Sequence, residues 1–204
     1  MDNFPMVPLG ELCEVSAGPS GTLFNDIGDH PNGVPIISPS DITDHQTVDA
    51  RRVKRVSAEE AQQARRLSLR QGDLLVVRQG ALGRVALIGY ESTGWFYSSS
   101  CLMLRPKVEK ILSEYLAGYL SHPSVREALS AQANPGTMPS LNASILKTFP
   151  VALPPVGHQH IVVETLADID EQIAIQRKMT ARLEALRPAV FTRLVPGGVS
   201  AWVH

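Results

Sequence analysis

"FPVALPPVGHQHIVVETLADIDEQI" (residues 149–173) crosses from one kind of structure to another. The apolar run Phe149–Leu153 stops at the diproline Pro154-Pro155, a rigid corner. Beyond Gly157 comes a His-Gln-His triplet, and then apolar residues recur at helical spacing far towards the C-terminus. Val162, Leu166, Ile169, Ile173, Gln176, Thr180, Leu183, Arg187, Val190 and Leu194 follow alternating steps of four and three. That is the a/d seam of a coiled coil, sustained over more than four heptads, with polar members that fix register. Pro188 is expected to kink or restart the helix. From residue 156 to 187 the rod would be roughly 48 Å long at 1.5 Å per residue. The rest of so short a chain cannot cover it, so a second copy of the helix is expected on its apolar stripe. The chain therefore divides into a head (1–153), a helical arm (154–195) and a tail (196–204) expected to be loosely ordered.

The 204 residues are 44% hydrophobic and 19% charged, the composition of an ordinary globular protein. They contain no run of about 18 apolar residues, so no membrane span is expected. The start, Met1-Asp2-Asn3-Phe4-Pro5, lacks the basic flank and apolar stretch of a signal peptide. Cys13 and Cys101 do not make a disulfide framework, and a reducing cytoplasm is the expected location. The net charge of −1 hides a segregation. Residues 1–50 hold eight acids and no Lys or Arg, whereas residues 51–84 hold nine basic residues against three acids. Such a positive block can supply a phosphate-binding surface even in a neutral chain.

Within the head, "VPLGELCEVS" (7–16) opens a short apolar–polar segment, and "GVPIISPSDI" (33–42) reads as a strand running into a polar loop. "SAEEAQQARRLSLRQGD" (57–73) starts with a capping-box pattern, Ser57 and Glu60, and predicts a helix as far as Gly72. "DLLVVRQGALGRVALIGY" (73–90) predicts two strands, Leu74–Val77 and Arg84–Ile88, around a turn whose glycines allow positive φ. "WFYSSSCLMLRP" (95–106) reads as one further strand. Residues 109–133 read as two helices broken at Pro123, and 134–142 as a turn-rich loop. "ILKTFPVALP" (145–154) is expected to return as an extended edge, because Pro150 cannot donate to a ladder.

Catalytic motifs do not emerge. His158 and His160 are two apart, whereas metal ligands on a helix stand three or four apart, so a polar helix entrance is the better reading. Gly80 and Gly83 are followed by Arg84-Val85 and not by the Lys-Ser or Lys-Thr of a phosphate-binding loop. No lysine has an acid two positions before it, as a common nuclease core requires, and there is no Gly-x-Ser-x-Gly elbow. The chain reads as a binder rather than a catalyst.

Several stretches together resemble the specificity subunit of type I restriction–modification systems. They are "VPLGELCEVSAG", "GVPIISPSDI", "LRQGDLLVVRQGALGRVALI", "SSSCLMLRP", "GTMPSLNASILKTFPVALPP" and "QHIVVETLADIDEQIAIQRKMTARLEALRPAVFTRLV". Their order and spacing, above all "MPSLNASILKTFPVALPP" followed by "LADIDEQI", carry the resemblance. It implies an α+β target-recognition domain with a mixed β-sheet and helices, followed by a long C-terminal coiled-coil helix that acts as a spacer. Where the family usually places an acid before the glutamine, this chain has His158. Family members usually carry two recognition domains and two helices, and no internal repeat is visible here, so a half-size subunit is expected.

The resemblance also implies partners and sites. Double-stranded DNA would be bound by a homodimer joined through the helix seam (Val162, Leu166, Ile169, Ile173, Gln176, Thr180, Leu183), giving an interrupted, inverted-repeat site. A methyltransferase subunit would be recruited, together with a restriction/translocase subunit in some systems, near Glu164, Asp168, Arg177, Arg182 and Glu184. S-adenosylmethionine would belong to the methyltransferase, and this chain would bind no cofactor and no metal. Candidate phosphate contacts are Arg51, Arg52, Lys54, Arg65, Arg66 and Arg70. Candidate base or loop contacts are Ser38, Ser40, Asp41, Arg78, Gln79, Ser99, Ser100, Gly136 and Thr137. Two rival readings remain, a non-catalytic coiled-coil scaffold or DNA-binding protein of another defence system, and a stand-alone hydrolase or nuclease; the charge segregation counts against a pure scaffold and the missing motifs against the enzyme.

Overall fold

The computed structural model describes residues 4–19, 23–134, 136 and 139–195. Two compact units follow one another, residues 1–160 and 161–204. The chain begins with β1 (Met6–Pro8), the one-turn helix α1 (Leu9–Leu12) and β2 (Cys13–Ala17). Next come β3 (Ile27–Gly28), β4 (Val34–Ile37), β5 (Lys54–Val56), α2 (Ala58–Gln63), β6 (Leu74–Val77) and β7 (Val85–Leu87). They are followed by β8 (Phe96–Tyr97), β9 (Cys101–Pro106), α3 (Ser113–Ser121), α4 (Pro123–Ala131), α5 (Ala143–Thr148), β10 (Pro150–Ala152) and α6 (Val156–Leu194). The result is an α+β head with a long C-terminal helix.

Two four-stranded sheets build the head. One is antiparallel in the order β2-β9-β6-β7. The other, β3-β5-β4-β8, is mixed, because β4 and β8 run parallel. The unbroken apolar run Leu74–Val77 is buried on both faces, as an interior strand requires. Alternation in β4 and β8 then sorts their side chains between two cores. Ile37 and Tyr97 join Leu75, Val77, Ala86, Cys101 and Met103 between the sheets. Ile36 and Phe96 face the other way, with Phe24, Val56, Ala61 and Ala64, under α2. The Phe24 and Phe96 rings lie 5.1 Å apart in a tilted pair.

Three expected elements differ. The helix predicted to Gly72 ends at Gln63 and tightens into a 3₁₀ turn at Arg65–Leu67. Leu69 must enter the core, where its N–H donates to Trp95 O and its carbonyl accepts from Gly94 N–H. Gly72, at φ +84°, serves a turn instead. Ser57 caps α2 by accepting from Glu60 N–H (3.3 Å), but the Glu60 carboxylate also reaches Asn25 N–H (2.9 Å) and so ties down a distant loop. That bond holds the Glu60 carboxyl below its usual range. "WFYSSSCLMLRP" is two strands in two sheets. Ser98 N–H donates to Ile37 O and Cys101 N–H to Ser98 O, so the serines turn the chain from one sheet into the other. Residues 143–148, partly expected to be extended, form α5, capped by Asn142 Oδ1 on Ile145 N–H (2.9 Å). Only Pro150–Ala152 is extended, in a two-stranded pair with β1, where Pro8 faces Pro150. Neither proline has an N–H, so the ladder ends there. The Pro123 break stands, with Pro123 opening α4.

At the corner the decisive residue is Gln159, fully buried in the first turns of α6. Its Oε1 accepts from Leu112 N–H (2.9 Å), and its Nε2 donates to Pro154 O (2.9 Å) and Lys110 O (3.4 Å). Leu112 is the N-cap of α3 and has no side chain able to cap it. Gln159 thus does from 47 residues away what the Gln or Glu of a capping box does locally. His158 lies beside it, its ring 4.9 Å from that of Phe4. Tyr115 Oη donates to Ala152 O (2.8 Å), fixing β10 from α3. The helix is not restarted at Pro188 but runs through it to Leu194, 39 residues in all and about 58 Å at the usual rise.

A second lock lies at the 70–73 turn. Asp73, 1% exposed, receives Arg105 Nε (2.8 Å) and Nη2 (2.7 Å) in a bidentate pair, together with Arg70 N–H (2.7 Å).

Two stability outcomes follow from these locks. Gln159→Leu leaves Leu112 N–H and Pro154 O without partners, at about 1–3 kcal/mol each. Urea unfolding should show a loss of at least about 2 kcal/mol, with the far-ultraviolet spectrum retained at zero denaturant. Asp73→Ala strands a part-buried guanidinium and should cost about 3–5 kcal/mol. The double variant Asp73→Leu/Arg105→Met should recover part of that loss in the same titration.

Candidate functional site

The parallel strands β4 and β8 end side by side at Ile37 and Tyr97. In the neighbouring sheet β6 ends at Val77, opposite the start of β9 at Cys101. Three connections therefore leave the two sheets at one end: Ser38–Asp41, Arg78–Arg84 and Ser98–Ser100. Ser98 N–H donates to Ile37 O (2.8 Å) and Arg78 N–H to Ser100 O (3.0 Å), joining the three. A fourth connection is drawn in, because Leu141 N–H donates to Arg78 O (3.0 Å) and Gln79 is bridged to Ser140, which is bridged to Asn134. Gly136, exposed, sits in that last connection, and Thr137 lies outside the described residues. Ser38, Ser40, Asp41, Arg78, Gln79, Ser99 and Ser100, scattered over 63 positions, thus share one rim.

Each connection has its own support. Asp41 Oδ2 accepts from Ser38 N–H (2.8 Å), while Asp41 N–H donates to the Ser38 carbonyl, closing the 3₁₀ turn Pro39–Asp41. Burial raises the Asp41 carboxyl above its ordinary range, and Oδ1 receives only a long contact of 3.5 Å from Ser40 Oγ. The Arg78–Arg84 turn uses left-handed φ at Gly80 (+80°) and Gly83 (+71°). Arg84 is structural: Nη1 donates to Ile42 O (3.1 Å) and Nη2 pairs with Asp44 (3.2 Å). Both arginines have a buried Nε without a partner, but Arg78 differs in that none of its guanidinium makes a hydrogen bond or ion pair with any described residue. A buried donor left unpaired costs about 1–3 kcal/mol.

Beside this rim, Ser40, Asp41, Asp49, Arg51 and Arg52 line one depression. It joins two loop candidates to two of the phosphate candidates. Asp49 was not foreseen. Its carboxylate takes Arg51 Nε (2.8 Å) and Nη2 (2.6 Å), and these bonds pull its carboxyl down to about 2. The only signal in the sequence is an acid two positions before an arginine. Arg51 therefore carries its own anion, whereas Arg52 is exposed and unpaired among the described residues. Lys54 on β5, Arg65 and Arg66 on the 3₁₀ turn, and Arg70 are exposed and form no ion pair among the described residues, but they do not line the depression.

This arrangement is suited to recognition: backbone-anchored donors and acceptors on a rim, with exposed cations nearby. Cys13 and Cys101 are buried, and burial pushes both thiols up to about 12, so neither is poised as a nucleophile. Among the described residues no group of three or more His, Cys, Asp or Glu could hold a metal ion, and no helix is long and apolar enough to cross a membrane.

Comparison with known proteins agrees with this architecture. Residues 1–185 match the family model described as the type I restriction modification DNA specificity domain. The type I restriction enzyme EcoBI specificity subunit of Escherichia coli is 25% identical over 177 residues, covering 85% of this chain and 37% of that protein. A solved chain from work on complex assembly and conformational transition of the type I R-M system superposes with a TM-score of 0.68. It is 22% identical and covers 93% of this chain and 44% of its own. The HsdS subunit of Thermoanaerobacter tengcongensis gives a TM-score of 0.59 at 19% identity, covering 98% and 46%. The S subunit from M. genitalium gives 0.56 at 17% identity, covering 99% and 50%. The chain thus spans half or less of each relative's length, and the solved structures share its fold. With its order of elements, its diproline corner and a match over residues 1–185, this chain belongs to the type I restriction modification DNA specificity domain family.

Proposed function

We propose that this chain is a DNA-recognition subunit of a type I restriction–modification system, with one target-recognition head and one spacer helix. The observation that carries the reading is the convergence of three sheet-end connections, with an unpaired arginine among them and exposed cations nearby. Phosphate contacts by Arg52, Lys54, Arg65, Arg66 and Arg70 would set register, and the rim would read base edges. The subunit itself catalyses nothing in this reading. It recruits a methyltransferase subunit, which brings S-adenosylmethionine and acts on an adenine flipped out of the duplex, and in some systems a restriction subunit.

The helix supports a dimer. Leu166, Ile169, Ile173 and Leu183 are 42%, 50%, 41% and 62% exposed, a seam that water meets along its length. A second copy, antiparallel, would cover it and hold two heads on the DNA. Two-fold symmetry then makes the site an interrupted inverted repeat, with half-sites about 34 Å apart or a multiple of that. Ile169→Asp with Ile173→Asp should turn the dimer into a monomer by analytical ultracentrifugation while leaving head stability unchanged.

The decisive experiment is a map of modified adenines in host DNA with and without this gene. Loss of methylation from one interrupted palindrome is expected. Loss from an asymmetric motif would replace the homodimer by a mixed pair, and no change would favour a scaffold in which the helix alone is the function.

Asp49→Asn, by releasing Arg51, should tighten binding to non-specific duplex and steepen its salt dependence by about one phosphate equivalent, a slope change near 0.9. Titration by fluorescence anisotropy at several salt concentrations checks it. A scaffold would show weak binding indifferent to salt.

A further inference from the structure

Among the arginines near the rim, two have their acceptors inside the protein: Arg51 on Asp49, and Arg84 on Asp44 and Ile42 O. Arg78 has none among the described residues, although its backbone is held on both sides. Its N–H is bound to Ser100 O and its carbonyl to Leu141 N–H, each at 3.0 Å, and the next residue is bridged to Ser140. The side chain is half-buried and its Nε is turned into the protein without a partner. What remains for a ligand is the pair of Nη groups, which no described residue engages.

We propose that Arg78 is the guanine-reading residue of this head, its paired Nη donors taking O6 and N7 of one guanine in the major groove. The proposal rests on the DNA-recognition reading above and adds to it the identity of one base. An end-on pair of donors matches the two adjacent acceptors that guanine alone presents in that groove; adenine offers N7 beside a donor. A phosphate would also accept from an arginine, but phosphates are met by flexible arms that follow the backbone, and those are supplied here by exposed Arg52, Arg65, Arg66 and Arg70. A half-buried side chain whose backbone is held at both its N–H and its carbonyl has less reach along a backbone than those exposed arms. It can reject a wrong base, because a base without acceptors at that position leaves it unpaired a second time.

The test is selection of bound duplexes from a randomised library by the full-length chain, repeated for Arg78→Gln and Arg78→Met at matched salt. The wild type should enrich a half-site with one near-invariant guanine. Both variants should lose preference at that position alone, by about 5- to 150-fold, with the salt slope and the unfolding midpoint unchanged. A uniform loss on all sequences with a shallower salt slope would make Arg78 a phosphate contact and overturn the proposal. So would a selected half-site that keeps its guanine in both variants, or that contains none, and in these cases the DNA reading survives. If the wild type enriches nothing and its binding ignores salt, the DNA reading itself falls, and the assignment of Arg78 with it.

Discussion

The side chain of Gln159 is the interaction on which this architecture turns. A 39-residue helix leaving a small head needs a defined starting point, and two prolines set direction without providing attachment. Gln159 provides it by placing one amide among Leu112 N–H, Pro154 O and Lys110 O, in a position with no solvent exposure. The donors and acceptor of one amide match the groups that surround it, so burying a polar residue here is not a penalty but a lock. The same bond caps α3, whose tyrosines hold β10 against β1. The corner, the cap and the edge sheet are therefore one connected unit.

The head shows the same economy in the three serines at 98–100. They carry the chain from a parallel pair in one sheet to an antiparallel pair in the other. Because that crossing happens where β4, β6 and β8 all end, the loops of both sheets are forced to the same end of the head. A rim assembled in this way is rigid at its base and free to vary at its tip. That is what a recognition surface needs, since loops can change while the strands that aim them do not.

Charge is distributed by the same logic of pairing. Arg84 is consumed by the fold, Arg55 donates to Gly33 O, and Arg51 is restrained by Asp49, so the excess of basic residues in 51–84 overstates the free positive surface. Which arginines remain available depends on where Asp44, Asp49 and Asp73 fall in space.

Periodicity alone carried much of this. The heptad seam from Val162, the apolar run Leu74–Val77, the break at Pro123 and the glycine turn at 80–83 are local patterns, and local physics determines them: side-chain period, missing donors and positive φ. Much of the candidate rim was also legible as polar loops between strands, although Ser99 and Ser100 fell within what read as a single strand. What only the tertiary structure decided were the properties that need a distant partner. Helix α2 stops early because Leu69 is claimed by the core and by Trp95. One apparent strand at 95–106 becomes two because Ser98 finds Ile37 O, 61 residues away. Gln159 becomes a lock because Leu112 stands opposite, and Arg78 is left open because no described acid does. A sequence states which groups a residue carries; only the fold states which of them are already satisfied.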